Sequence, residues 1–154
     1  MEDFAVSVER VIPTSPEAIF ALLADPTKHP VIDGSGTVRV AKPSGEKLAL
    51  GSSFGMAMRM GIPYSTTNEV VEFEQDRRIA WAPRLAGPLG RLAPSGRRWR
   101  YELEPADGGT RVRETWDISQ DRLKGFFRRG RLPGRVRRDM EATLARIEKL
   151  VTEG

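Results

Sequence analysis

The first regular pattern along the chain is an alternation. Phe4, Val6, Val8 and Ile12 recur with period two, which predicts a strand over about residues 4 to 12. A helix-start signal follows: Ser15 can cap free N–H groups, Pro16 suits the first helical position, and Glu17 complements the helix dipole ahead of the apolar run beginning at Ala18. Asp25-Pro26 stops that helix, and a further helical turn fits residues 26 to 31. Asp33-Gly34-Ser35-Gly36 is turn chemistry leading into Val38 and Val40.

Period two then continues with no helix between the runs. Phe54, Met56, Met58 and Met60 share one face of a strand at 52 to 60, and Glu69, Val71 and Phe73 share one face of a strand at 64 to 74. Ile79, Trp81 and Pro83 follow after Asp76-Arg77, then Trp99, Tyr101 and Leu103 after a Gly-, Pro- and Arg-rich loop at about 84 to 96. Asp107-Gly108-Gly109 is a hairpin signal before Val112, Glu114, Trp116 and Ile118. The period changes at the end: Val136, Met140, Leu144, Ile147 and Val151 fall at steps of three and four, which predicts a helix from about Pro133 to Thr152. Consecutive strands without crossover helices point to an antiparallel meander, and only the inner face of that sheet is large enough to bury the helical stripe. The expected fold is α+β, a seven-stranded antiparallel sheet wrapped around a long C-terminal helix, with one or two short helices after the first strand. At 154 residues it is expected to be a single domain over 1–154.

Composition narrows the chemistry. There is no cysteine, which excludes disulfides, thiolate catalysis and cysteine metal sites. His29, the only histidine, sits beside Pro30 without the neighbours of a metal site or a serine triad, so it reads as a loop residue and neither metal nor cofactor is expected. Gly87-Pro88-Leu89-Gly90 lacks the lysine of a phosphate loop, which removes a nucleotide reading. The longest apolar run, Ala18 to Ala24, is far short of the ~20 residues of a membrane span, and the acidic start is no signal peptide; a cytoplasmic location is expected. The net charge of +4 is unevenly placed, since eight basic residues and no acidic one lie between Arg122 and Arg138.

Several segments carry a family likeness. Ser15-Pro16-Glu17-Ala18-Ile19-Phe20-Ala21-Leu22-Leu23-Ala24-Asp25-Pro26, the pair Val71-Glu72-Phe73-Glu74 and Arg78-Ile79-Ala80-Trp81, and Gly108-Gly109-Thr110-Arg111-Val112 resemble the first helix, middle hairpin and last hairpin of the SRPBCC superfamily. This is the helix-grip or START-like fold shared by birch-pollen-allergen-like proteins, lipid-transfer domains and aromatic polyketide cyclases. The resemblance covers nearly the whole chain and implies a ligand cavity between sheet and terminal helix. It does not choose a function, because the segments are scaffold. One departure is that the Gly-rich loop of the plant members is here Pro43-Ser44-Gly45-Glu46-Lys47-Leu48.

The candidate ligand contacts follow. Trp81, Trp99, Tyr101 and Trp116 are expected as wall, and Phe54, Met56, Met58 and Met140 as an adaptable apolar floor, with Phe126 at the entrance. The competing reading of the Met stripe is ordinary packing against the helix. Two carboxylates have inward parity, Glu69 and Glu114; with Tyr101 as hydrogen-bond donor they are candidates for acid–base chemistry. Alternatively Glu114 forms a structural ion pair with Arg10, which shares a face with Val8 and Ile12, and a bulge turns Glu69 outward.

Alternate turns of a meander gather at one end, so Arg84, Arg91, Arg97 and Arg98 are expected to join the basic segment as a rim. Arg128, Arg129 and Arg131 could meet an anionic membrane surface; nucleic acid is the weaker alternative, and a plain solvated lid the bland one. The leading expectation is binding or transport of a hydrophobic, lipid- or polyketide-like small molecule. The alternatives are a polyketide cyclase or dehydratase using an inward carboxylate, and a regulatory interaction protein using the basic rim.

Overall fold

Ser15 acts as the helix cap its position suggests, its Oγ accepting from the Ala18 amide at 3.3 Å, and the chain enters α1 (Pro16–Leu23) from β1 (Ala5–Ile12). The computed structural model describes residues 4–34, 38–41, 48–60, 62–85, 96–121 and 124–153, with the side chains of all but 38–41, 57–60, 63 and 85. After α1 come a 3-10 turn (Pro26–Lys28) and α2 (His29–Ile32). Six strands follow: β2 (Val38–Ala41), β3 (Ser53–Met60), β4 (Ile62–Glu74), β5 (Arg78–Leu85), β6 (Arg98–Ala106) and β7 (Gly109–Asp117). Short α3 (Lys124–Phe127) and long α4 (Leu132–Glu153) close the chain. The strands form one antiparallel sheet in the order β1-β7-β6-β5-β4-β3-β2, so the first strand closes on the last.

The stripe on α4 is buried as its spacing requires, through Val136, Met140, Leu144 and Ile147, and it also buries Thr143. The helix packs chiefly along β1, with β7 and the short helices α1 and α2 beside it. It therefore covers one side of the inner face and leaves the inner face of β3 to β6 standing off from it. β5 and β6 pair from Arg78↔Glu102 to Trp81↔Trp99, while β5 runs on to Leu85 beside β4. The described part of the sheet thus opens beyond Trp81 and Trp99.

Of the two readings of Glu69 the outward one holds, and the expected Arg10–Glu114 pair fails. In the β4–β5 ladder Val70 faces Trp81 and Glu72 faces Ala80, so Val71 is an extra residue, a bulge that inverts the side-chain parity. Before it Thr66, Asn68 and Val70 are buried, and after it Phe73 packs on Phe20 with ring centroids 5.5 Å apart. Glu69 is consequently on the outer face and exposed, not an inward carboxylate. The Arg10–Glu114 pair is also absent: Val8 stands opposite Glu114, while Arg10 Nε donates to Glu148 Oε1 of α4 at 2.8 Å, partly exposed.

The outer face carries a network of its own. Glu72 accepts from both Arg98 and Arg100, and Arg100 also reaches Asp117 at 3.2 Å. Arg98 therefore belongs to this face and not to a cavity rim. Arg91, Arg122 and the residues from Pro43 to Lys47 lie outside the described residues, as do the side chains of Met58 and Met60.

Candidate functional site

Between the open half of the sheet and α4 lies a cavity of about 550 Å³, within the range of small-molecule sites. Three strands supply an aromatic wall. Trp81 sits 5.6 Å from Tyr101 and Trp99 6.3 Å from Trp116, centroid to centroid. Phe54 and Met56 of β3 extend this wall, with Phe54 5.7 Å from Trp81, and Met140, Val136 and Leu132 of α4 close the space. Those are long apolar side chains on period-two and period-3.6 positions, each placed by its element's register.

A buried carboxyl interrupts this apolar lining. Glu114 is only 3% exposed and its register partner Tyr101 4%. Tyr101 stands directly opposite Glu114 in the β6–β7 ladder, and Glu114 Oε1 has no hydrogen-bond partner. Burial pushes the Glu114 carboxyl well above the usual carboxylate range; the neighbouring Tyr101 hydroxyl opposes this and the charge of Asp33 adds to it. Burial, with the charge of Glu114, also pushes the Tyr101 phenol well up. Both shifts favour the neutral forms, a carboxylic acid beside a phenol.

His29 is the residue that sequence reasoning missed. It is buried rather than a loop residue at the surface, and its Nε2 donates to the Leu23 carbonyl oxygen at 2.9 Å. Its ring stacks on Trp81 and meets Phe54 edge-on, forming part of the cavity lining. Burial lowers its pKa to about 4, against the opposing effect of the Leu23 bond, so it is neutral at pH 7 and Nδ1 is the ring's acceptor. Asn68 and Thr66 were missed as well, because the bulge at Val71 hides their inward parity; Asn68 Nδ2 donates to Thr66 Oγ1 at 3.2 Å on the same wall. The only signal available for His29 was its place within the helical turn expected at 26 to 31.

Among the described residues the charged lining of the cavity is mixed rather than a basic rim. Arg84, Arg97 and Arg135 reach the cavity, but so do Asp33 and Asp139. Arg97 is held by the buried Asp121 at 3.1 Å and lies 4.8 Å from the Phe127 ring. Phe127, not Phe126, is the aromatic residue of α3 at the cavity; it packs near Trp116, whereas Phe126 is 72% exposed. Arg128 lies over the Phe4 ring at 5.1 Å, and Arg129 and Arg131 are exposed. Among the described residues no cluster of His, Asp and Glu could hold a metal, and no helix is long and apolar enough to cross a membrane.

Comparison with known proteins agrees with this geometry. Residues 3–152 match the family described as polyketide cyclase / dehydrase and lipid transport. The chain belongs to this family. The same fold is found in protein NE0264 from Nitrosomonas europaea, with a TM-score of 0.72 over 99% of this chain and 97% of that one at 15% identity. Protein MLL2253 from Mesorhizobium loti gives 0.69 over 97% of each chain at 20% identity. DynU16, from the dynemicin biosynthetic locus, gives 0.67 at 13% identity over 97% of this chain and 47% of that one. In sequence, the uncharacterized protein Rv0088 of Mycobacterium tuberculosis is 32% identical over 96% of this chain, which spans 63% of that relative's length.

As a member of this family the chain brings together, in one cavity, Phe54, Met56, Trp81, Trp99, Tyr101, Glu114, Trp116 and Met140 from the residues singled out in the sequence. Glu69 and Phe126 stand apart from it.

Proposed function

We propose that this chain binds a hydrophobic small molecule, lipid- or polyketide-like, between the sheet and α4. The supporting observation is the cavity of about 550 Å³ with an aromatic wall, which Leu132, Val136 and Met140 of α4 border without filling. Family membership supports the same ligand class, and the binding unit is proposed to be one domain. The neutral fluorescent probe N-phenyl-1-naphthylamine should bind saturably to the wild type, and Met56→Trp, which fills the space beside Phe54, should weaken it at least about tenfold. Equal binding by the filled variant, or none by the wild type, contradicts the reading.

One observation favours a catalytic reading as the second choice. Glu114, buried beside Tyr101 with an unpartnered oxygen, has the environment of a general acid for cyclisation or dehydration. Turnover of a polyketide-like substrate that is lost in Glu114→Gln, with folding retained, supports it; retained turnover removes Glu114 from that role.

A further inference from the structure

An oxygen with no partner inside an apolar cavity is a specific demand on whatever fills the cavity. Buried polar groups in folded proteins are almost always hydrogen-bonded, because leaving one dry costs more than any single bond gains. Glu114 Oε1 is the buried side-chain atom without a partner among the described residues, and Glu114 lines the cavity from the middle of β7.

Its position in the sheet defines the end of the site. Tyr101↔Glu114 is the innermost β6–β7 pair that lines the cavity; the next inward pair, Leu103↔Val112, is apolar and buried. Outward along β6, Trp99 and then Arg97 line the same space. Four residues of strand separate Tyr101 from Arg97, about 13 Å of rise. The walls along that distance are indole rings.

We propose that Glu114 selects the ligand: its buried carboxyl donates a hydrogen bond to a carbonyl-type oxygen at the buried end of an uncharged, flat, apolar molecule. This rests on the ligand-binding reading above and narrows it. A carboxylate at the same end would meet no cation there and would face the charge of Asp33, so anionic groups belong at the mouth near Arg84 and Arg135. A pure hydrocarbon would leave Oε1 without a partner.

The test uses two probes of one shape, 2-acetylnaphthalene and 2-isopropylnaphthalene, titrated into wild type, Glu114→Met and Glu114→Gln. The hydrocarbon is the more hydrophobic probe in any apolar cavity, so the quantity read is the ratio of the two dissociation constants. Replacing Glu114 by Met should move that ratio towards the hydrocarbon by about tenfold or more, the order expected for losing one buried donor. Gln keeps an N–H donor and should stay within about threefold of wild type. In the infrared spectrum of the wild-type complex, the ketone carbonyl band should lie below its frequency in hexane. If both probes bind and the ratio is the same in all three proteins, or the band does not shift, Glu114 does not select the ligand although the cavity stands. If neither probe binds the wild type, the ligand-binding reading itself falls.

Discussion

The imidazole of His29 lies on the indole of Trp81, ring centroids 4.7 Å apart and planes 21° from parallel. That contact ties the short helix after α1 to the middle of the sheet. It fixes the height of Trp81 over the cavity, and it requires the histidine to be uncharged, since burial removes the water that would solvate a proton on the ring.

This burial should make stability fall in mild acid. The folded-state pKa is depressed from 6.5 to about 4, so the unfolded chain takes up the proton first as pH falls. Stability present above pH 6.5 is lost progressively towards pH 4, by about 3 kcal/mol in all. His29→Phe keeps the stacking shape without the proton. Urea denaturation at pH 7 and pH 4.5 should show a smaller loss in the variant; equal losses would mean His29 is not the titrating group.

Glu114 should act with the opposite slope. Its folded pKa is raised, so the stabilising form is fully present below its unfolded value of 4.5 and stability drains away as pH rises towards the folded pKa. Glu114→Gln should therefore melt higher than wild type at pH 8, with the difference shrinking towards pH 4. A structural partner of Arg10 would behave the other way, melting lower once Glu114 was replaced.

The junction of α2 and α4 should tolerate no added volume. A Cβ at Gly34 would lie 2.6 Å from the Thr143 amide nitrogen and 2.7 Å from the Ala142 Cβ, besides striking the Asp139 carbonyl oxygen. Gly34→Ala should cost about 1–3 kcal/mol by pushing the helix off the rim of the cavity. Thr143→Val should cost about 1–3 kcal/mol by a separate route, leaving the Gly34 amide without the Thr143 hydroxyl 2.8 Å away. Chemical denaturation of each variant reads both, and unchanged midpoints would mean the junction yields.

The basic segment before α4 is expected to split. Arg129 and Arg131 are exposed, and replacing either by Ser should change stability by less than about 0.5 kcal/mol. Arg128 lies over the Phe4 ring and should cost more, about 0.5–1 kcal/mol. Thermal melts of the three single variants would show whether the order holds.

Much of this protein is written in local periodicity. The alternation of Val112, Glu114, Trp116 and Ile118, and the spacing of Val136, Met140, Leu144 and Ile147, each follow from one repeating geometry. The sequence by itself therefore determined the order of elements, the stripe on α4, and the inward turn of Glu114 among aromatic residues.

Tertiary structure decided the rest, because partners distant along the chain choose what a side chain meets. A single extra residue at Val71 reversed parity along β4, sending Glu69 out and bringing Asn68 and Thr66 in. Arg10 had the parity to face Glu114, but α4 runs along β1 and supplied Glu148 within reach of its long side chain. His29 had no pattern at all; it became part of the cavity only because the turn after α1 is held down against β3 and β5, where two aromatic rings exclude water. Burial is a property of the assembled layers, and neither a buried neutral acid nor a buried neutral base can be read before those layers meet.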